Sequence, residues 1–225
     1  MRDPSRNQSV DFFDTQFRRQ IRDREYALNQ FETLALDYLT GTVLDLGSGL
    51  GNLSLEAGRR GHLVVAVDGS AAAVARIDAD ARRERLPVRA VHADVERWII
   101  EGSYETVVAI GLLMFFPRER AFGLLRTIQE HVAPGGIAVV NVLVEGTTYL
   151  GMFEADHYYL FSRDELEERF AGWTILSSRH ETFPAPEGTR KEFSTVVARK
   201  PTQIEGIRAP RGGARGCGRS GGGSG

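Results

Sequence analysis

The chain has 225 residues, 42% of them hydrophobic and 26% charged, with a formal net charge of −2. That length suits one α/β domain of ordinary size, and the near-neutral balance offers no basic field for a nucleic-acid partner. No apolar run reaches the ~18 residues a membrane span needs, the first eight residues lack an apolar signal core, and the single cysteine, Cys217, excludes an internal disulfide pair, so the composition predicts a cytoplasmic protein.

Residues 1–40 read as an N-terminal helical segment, with Phe13, Phe17 and Ile21, then Phe31, Leu34 and Leu39, recurring at helical spacing from Val10 onward. A strand over Thr42–Leu46 follows, then a glycine-rich turn and a helix over Asn52–Arg60. His62–Val67 is a second apolar strand ending at Asp68, and Ser70–Arg85 reads as a helix stopped near Pro87. Val88–His92 and Thr106–Ile110 are the third and fourth strands, and Pro117 opens the next helix. Ala133-Pro134-Gly135-Gly136 breaks that helix before a fifth strand over Ile137–Val144. Ser162 to Glu165 has the form of a capping box ahead of Leu166–Phe170. Trp173–Ser178 and Phe193–Arg199 read as closing strands. Strands that alternate with helices and are nearly continuous in apolar character fit a doubly wound, mostly parallel sheet covered on both faces. After Lys200 the chain turns to Gly and Arg with almost nothing apolar, so residues 201–225 read as a disordered tail.

The most informative stretch is Val43-Leu-Asp-Leu-Gly-Ser-Gly-Leu-Gly51. Glycines at a strand-to-helix turn let the backbone approach a ligand closely and aim helix N–H groups at it. The dinucleotide fingerprint is G-x-G-x-x-G. Here the glycines stand at alternate positions, and Asp45 lies two residues before the first. A carboxylate there repels a pyrophosphate and suits a ligand with a cationic amino group. In open parallel sheets ligands bind beyond the C-terminal strand ends. The second strand ends at Asp68, 17 residues after Gly51, where an acid is placed to hold ribose hydroxyls. The third leads into Ala93-Asp94-Val95, and the fourth into Ile110-Gly111.

This order resembles the class I S-adenosylmethionine (SAM) methyltransferases, and it implies their Rossmann-like seven-stranded sheet over residues 41–200. The resemblance implies SAM as cofactor and S-adenosylhomocysteine (SAH) as product. It places Asp45 at the methionine end of SAM, Gly47, Ser48, Gly49 and Gly51 under its sugar and amino acid, and Asp68 with Gly69 at the ribose. Ala93, Asp94 and Val95 would then take the adenine, with Ile110, Gly111 and Tyr26 completing the cofactor pocket. Within that class, Gly111-Leu-Leu-Met-Phe-Phe116, His131-Val-Ala-Pro-Gly-Gly136, Glu165 to Trp173 and Phe193 to Lys200 look like the TehB-type tellurite-resistance methyltransferases. That likeness implies methylation of a small molecule, with tellurium and selenium oxyanions as the family's named cases. The chain departs from the family at Asn52-Leu53 and in a shorter final hairpin.

The absence of an Asp/Asn-Pro-Pro-Tyr motif after the fourth strand disfavours methylation of base amino groups, and five scattered histidines give no metal-ligand spacing. The acceptor is expected above the fourth and fifth strands, within reach of Leu112, Met114, Thr147, Tyr149, Tyr158, His157, His180 and Arg190. His157 or His180 would serve a substrate needing a general base; Arg190 with His157 would hold an oxyanion, and the rival is an apolar aromatic acceptor held by Tyr149, Phe153 and Tyr158, with Arg190 merely solvated. Phe12, Phe13, Phe17 and Tyr26 are candidates for a lid over the cofactor, although the spacing of Phe13 and Phe17 also fits core packing. Two other readings are a SAM-binding module without catalysis and a nicotinamide-dependent oxidoreductase, which Asp45 and the glycine spacing oppose.

Overall fold

The computed structural model describes residues 8–202. Seven strands form one sheet among the described residues, in the order β3-β2-β1-β4-β5-β7-β6. The strands are β1 (Val43–Leu46), β2 (Val64–Asp68), β3 (Val88–His92), β4 (Tyr104–Ile110), β5 (Val132–Leu143), β6 (Thr174–Pro184) and β7 (Arg190–Arg199). β1 to β5 pair in parallel, and β7 runs antiparallel to both β5 and β6. The helices are α1 (Gln8–Asp23), α2 (Gln30–Leu36), α3 (Asn52–Arg59), α4 (Ala71–Glu84), α5 (Arg118–His131) and the single turn α6 (Glu165–Glu168).

Both faces of the sheet are buried, as the unbroken apolar strands require. On one face Leu44, Leu46, Val107, Ala109, Val140, Val142 and Val196 pack with Leu125 and Ile128 of α5 and with Phe161, Leu166 and Phe170. On the other, Val43, Val108, Val139 and Val197 pack with Leu34 and Ala35 of α2 and with Leu53 and Ala57 of α3. α4 joins that second face through Ile77 and Ala81 against Ala66.

Local departures from the sequence expectation have identifiable causes. The helical segment before β1 is two helices. Arg24 adopts a left-handed φ of 54°, and α2 starts afresh on an N-cap at Asn29, whose side chain accepts from the Phe31 and Glu32 N–H groups while Glu32 reaches back to the Asn29 N–H. The turn at Ala133 to Gly136 lies inside β5 instead of ahead of it. Tyr104 pairs with Val132 and Thr106 with Ile137, so the extra residues bulge from the ladder. The box at Ser162 is half formed: Glu165 Oε2 accepts from the Ser162 N–H at 3.2 Å, but the helix N-cap is Asp164 and carries no side-chain cap. The last hairpin is longer than its apolar stretches, because β6 and β7 pair as far as Pro184 and Arg190. The proposed tail beyond Thr202, with Cys217, lies outside the described residues.

Candidate active site

The C-terminal ends of β1, β2, β4 and β5 open into one cavity of about 500 Å³, roofed on one side by α1. The glycine turn forms its floor. Gly47 and Ser48 donate to the Val67 carbonyl at 2.9 and 3.0 Å, which ties the turn to β2. Gly49 (φ 52°) faces the cavity directly beneath Phe17, whose ring edge lies 3.3 Å from where a Cβ would stand. Gly51 (φ 73°) does a different job: it is the N-cap of α3, and a side chain there would overlap Ile77 of α4. Arg76 of α4 braces the turn from outside, donating to the Leu50 carbonyl and, at 2.8 Å, to Asn52 Oδ1.

Acids gather at this end of the cavity. Asp45 is 4% exposed, and its Oδ2 accepts from Ser54 Oγ at 2.6 Å. Burial pushes its carboxyl up to about 7 against the lowering effect of that hydrogen bond, with the nearby Glu32 and Asp68 raising it further. Asp68 accepts from the Gly49 N–H at 2.8 Å and from the Ser70 N–H at 2.7 Å, yet burial still raises it. Glu32 is raised by burial too, despite accepting from the Asn29 N–H. Three desolvated carboxylates around one cavity wall are complementary to a cation. Ser48 Oγ is buried beside them without a hydrogen-bond partner among the described residues.

The structure brings together Asp45, Gly47, Ser48, Gly49, Asp68, Gly69, Asp94, Val95, Ile110 and Gly111 as cavity-lining residues. Asp94 lies at the exposed rim, where its Oδ1 accepts from the Glu96 N–H at 3.0 Å. Ala93 stands just behind the lining, its N–H bonded to the Asp68 carbonyl. Tyr26 is a correction. It is 41% exposed and outside the cavity, with the Arg76 guanidinium 3.8 Å over its ring, so it backs the arginine that braces the turn.

The acceptor side needs larger corrections. Leu112, Met114 and Tyr149 line the cavity; Thr147, His157, Tyr158, His180 and Arg190 do not. Strand alternation decides two of these. His180 is in register with Ser194, which pairs with Val142, whereas the lining residues of the neighbouring strands are Asn141, Leu143 and Phe193. Successive side chains point to opposite faces, so His180 lies across the sheet from the cavity, with Nε2 3.7 Å from Asp164. Arg190 shares that parity and pairs with Glu192 at 2.9 Å. Its neighbour Lys191 points the other way and is the only basic residue among the described cavity-lining residues. His157 is exposed, and its nearest partner is the Ala155 carbonyl at 3.4 Å. The cavity therefore holds no histidine among the described residues.

Sequence reasoning missed Glu32, Asn141 and Lys191. Glu32 was signalled only as the third residue of a capping box. Asn141 is fully buried on β5, donating through Nδ2 to Thr195 Oγ1 at 2.8 Å, while its Oδ1 has no partner. Phe13 and Phe17, whose spacing also fitted core packing, line the cavity, and Phe13 also packs edge-on against Phe115 at 5.1 Å.

The mostly parallel seven-stranded sheet with one antiparallel strand, opening into an acid-walled cavity above a glycine turn, has the fold of the class I SAM-dependent methyltransferases. Residues 43–136 match the family model described as a methyltransferase domain. Within the class the chain is similar to TehB of Haemophilus influenzae (strain 10810), a probable S-adenosyl-L-methionine-dependent methyltransferase. The two are 27% identical over 165 residues, 70% of this chain and 57% of the relative. The crystal structure of TehB from Haemophilus influenzae superposes with a TM-score of 0.68 at 22% identity, covering 77% of this chain and 63% of that one, which shows the shared fold. A protein named Hemagglutinin 1 from Eikenella corrodens is 30% identical over 164 residues, 70% of this chain and 54% of its own length. The chain spans a little over half the length of these curated relatives.

The residues present fit SAM. Its ammonium and sulfonium bring positive charge to a wall where burial raises Asp45, Asp68 and Glu32, the last two only partly offset by His92 and Arg76, and its polar groups meet the Ser48 hydroxyl, which has no hydrogen-bond partner among the described residues. No helix among the described residues is long and apolar enough to cross a membrane.

Proposed function

We propose that the chain transfers the methyl group of SAM to a small-molecule acceptor. The observation that carries this reading is the cavity itself: about 500 Å³, acid-walled at the glycine turn and apolar beyond it. Such a volume suits a cofactor together with a small partner. When bound, SAM supplies an activated methyl carbon. A nucleophile forms a bond to it as the carbon–sulfur bond breaks, and the electron pair goes to sulfur. The protein's share is alignment and desolvation. Asp45, Glu32 and Asp68 fix the donor, and the aromatic side chains opposite exclude water. No histidine lines the cavity among the described residues, so a protic acceptor would lose its proton to solvent and not to an imidazole.

α1 is read as a lid. Asp14 accepts from Ser70 Oγ at 2.5 Å and from the Ala72 N–H at 3.4 Å, which pins α1 to the start of α4 above the cavity. Asp14→Ala is expected to raise the SAM off-rate several-fold in stopped-flow displacement while shifting the unfolding midpoint little, because the core lies elsewhere. An unchanged off-rate would remove the lid.

The whole reading is tested by calorimetry and by SAH release in the presence of selenite, tellurite, thiols and phenols. SAM and SAH are expected to bind, NADH is not, and at least one acceptor is expected to give SAH release above the acceptor-free rate. Tight NADH binding without SAM binding would refute it.

A further inference from the structure

The β5–β7 side of the cavity carries two polar groups, Asn141 Oδ1 and Lys191 Nζ, that have no hydrogen-bond or ion-pair partner among the described residues. Asn141 Oδ1 is fully buried, lines the cavity and has no hydrogen-bond partner among the described residues. A buried acceptor left unpaired costs roughly 1–3 kcal/mol, so its place calls for a donor from outside the chain. Lys191 Nζ has no carboxylate partner among the described residues; it lies 4.7 Å from the Tyr149 ring centroid. The two mark the ends of a single track. Asn141 pairs with Thr195 and Leu143 with Phe193, and Lys191 follows on the same face. Four residues along β7 span roughly 13 Å, and the two side chains close part of that gap. Between them the wall is apolar: Phe31, Leu143, Tyr149 and Phe193, with Phe31 and Phe193 in ring contact at 4.8 Å.

Resting on the methyltransferase reading, we propose that this track is the acceptor subsite and that it takes a small aromatic acid, its anionic group on Lys191 and a protic nucleophile donating to Asn141 Oδ1; as the oxygen–methyl bond forms and the carbon–sulfur bond breaks, the hydroxyl proton passes to solvent water. A bare inorganic oxyanion would meet Lys191 but leave the apolar wall and Asn141 unused. An uncharged ring would leave Lys191 partly desolvated and unpaired. A ring bearing an acid at one end and a hydroxyl at the other satisfies all three features at once.

The test uses the full chain saturated with SAH, and calorimetry with 4-hydroxybenzoate, 4-hydroxybenzamide, 4-methoxybenzoate and selenite. The acid is expected to bind at least tenfold more tightly than its amide. It is also expected to outbind its methyl ether and selenite. Lys191→Met is expected to bring the acid-to-amide ratio below threefold, and Asn141→Leu to erase the preference for hydroxyl over methoxy. SAH affinity should stay within twofold in both variants, which shows that they fold. Absence of binding by either benzoate, tighter binding of selenite, or a ratio unchanged in Lys191→Met overturns the proposal. If SAH itself fails to bind the wild-type chain, the methyltransferase reading falls first, and the two failures are thus told apart.

Discussion

Asp45→Asn is expected to weaken SAM binding by about 2–5 kcal/mol, the usual loss when one partner of a buried charge pair is removed, and at the same time to make the free protein more stable at pH 8. The two effects share one cause. Asp45 is buried, raised to about 7 by desolvation, and lies near two further carboxylates. In the unfolded chain it titrates near 4. Between those values the folded state holds a proton that the unfolded state has released. The stability tied to this group is therefore fully present below pH ~4 and is lost as pH rises to about 7. Above that the folded protein carries the cost of a buried charge. Asparagine keeps the acceptor for Ser54 Oγ and drops the charge, so a gain of about 1–4 kcal/mol at pH 8 is expected, shrinking toward pH 5. Urea unfolding at both pH values measures it. Binding has the opposite sign. A cationic ligand needs the carboxylate, so wild-type affinity should fall as pH drops below 7, by up to about tenfold per unit, with a proton released on binding. Equal stability of wild type and variant at pH 8 would mean that Asp45 is not held in a desolvated state.

Gly51→Ala is the second large effect, and it concerns folding more than ligand. A left-handed backbone costs a non-glycine residue about 1–2 kcal/mol, and forcing a methyl into packed Ile77 adds about 1–3 kcal/mol. Against a total stability of about 5–15 kcal/mol, the unfolding midpoint should drop by about 5–15 °C at ~2–4 °C per kcal/mol. Ile77→Val in the same chain should recover part of the steric share, and a double-mutant cycle reads that coupling. A midpoint within 2 °C of wild type, a limit set well inside the ~5 °C expected, would show that α3 and α4 separate freely at this point.

Much of the proposed cofactor end was legible because Asp45, Asp68 and Gly111 sit at strand ends with local punctuation: Asp45 before the glycines, Asp68 ahead of Ser70, Gly111 after Ile110, whereas Glu32 on α2 had no such mark. Those signals depend on sequence neighbours only. The acceptor half depends on which way a side chain points, and there the chain gives no cue. β7 is buried on both faces, with Thr195 and Val197 on one and Ser194 and Val196 on the other. No polar–apolar alternation marks the cavity side, so the adjacent bases Arg190 and Lys191 cannot be told apart by reading. Asn141 hides in an apolar run for the same reason. The break between α1 and α2 was harder to see because helical spacing continues through it, with only the Asn29–Glu32 box to announce a new start.

The antiparallel placement of β7 has an evolutionary corollary. The acids proposed to hold the donor belong to α2, β1 and β2, while the groups facing the apolar end come from β5 and the outgoing arm of a surface hairpin. Because parity counted from Phe193 assigns one of two neighbouring bases to the cavity, gaining or losing a single codon between Lys191 and Phe193 would exchange the pair, turning the guanidinium inward and the ammonium out. Acceptor preference in this scaffold can thus drift through a one-residue length change at the start of β7, with the proposed donor grip untouched.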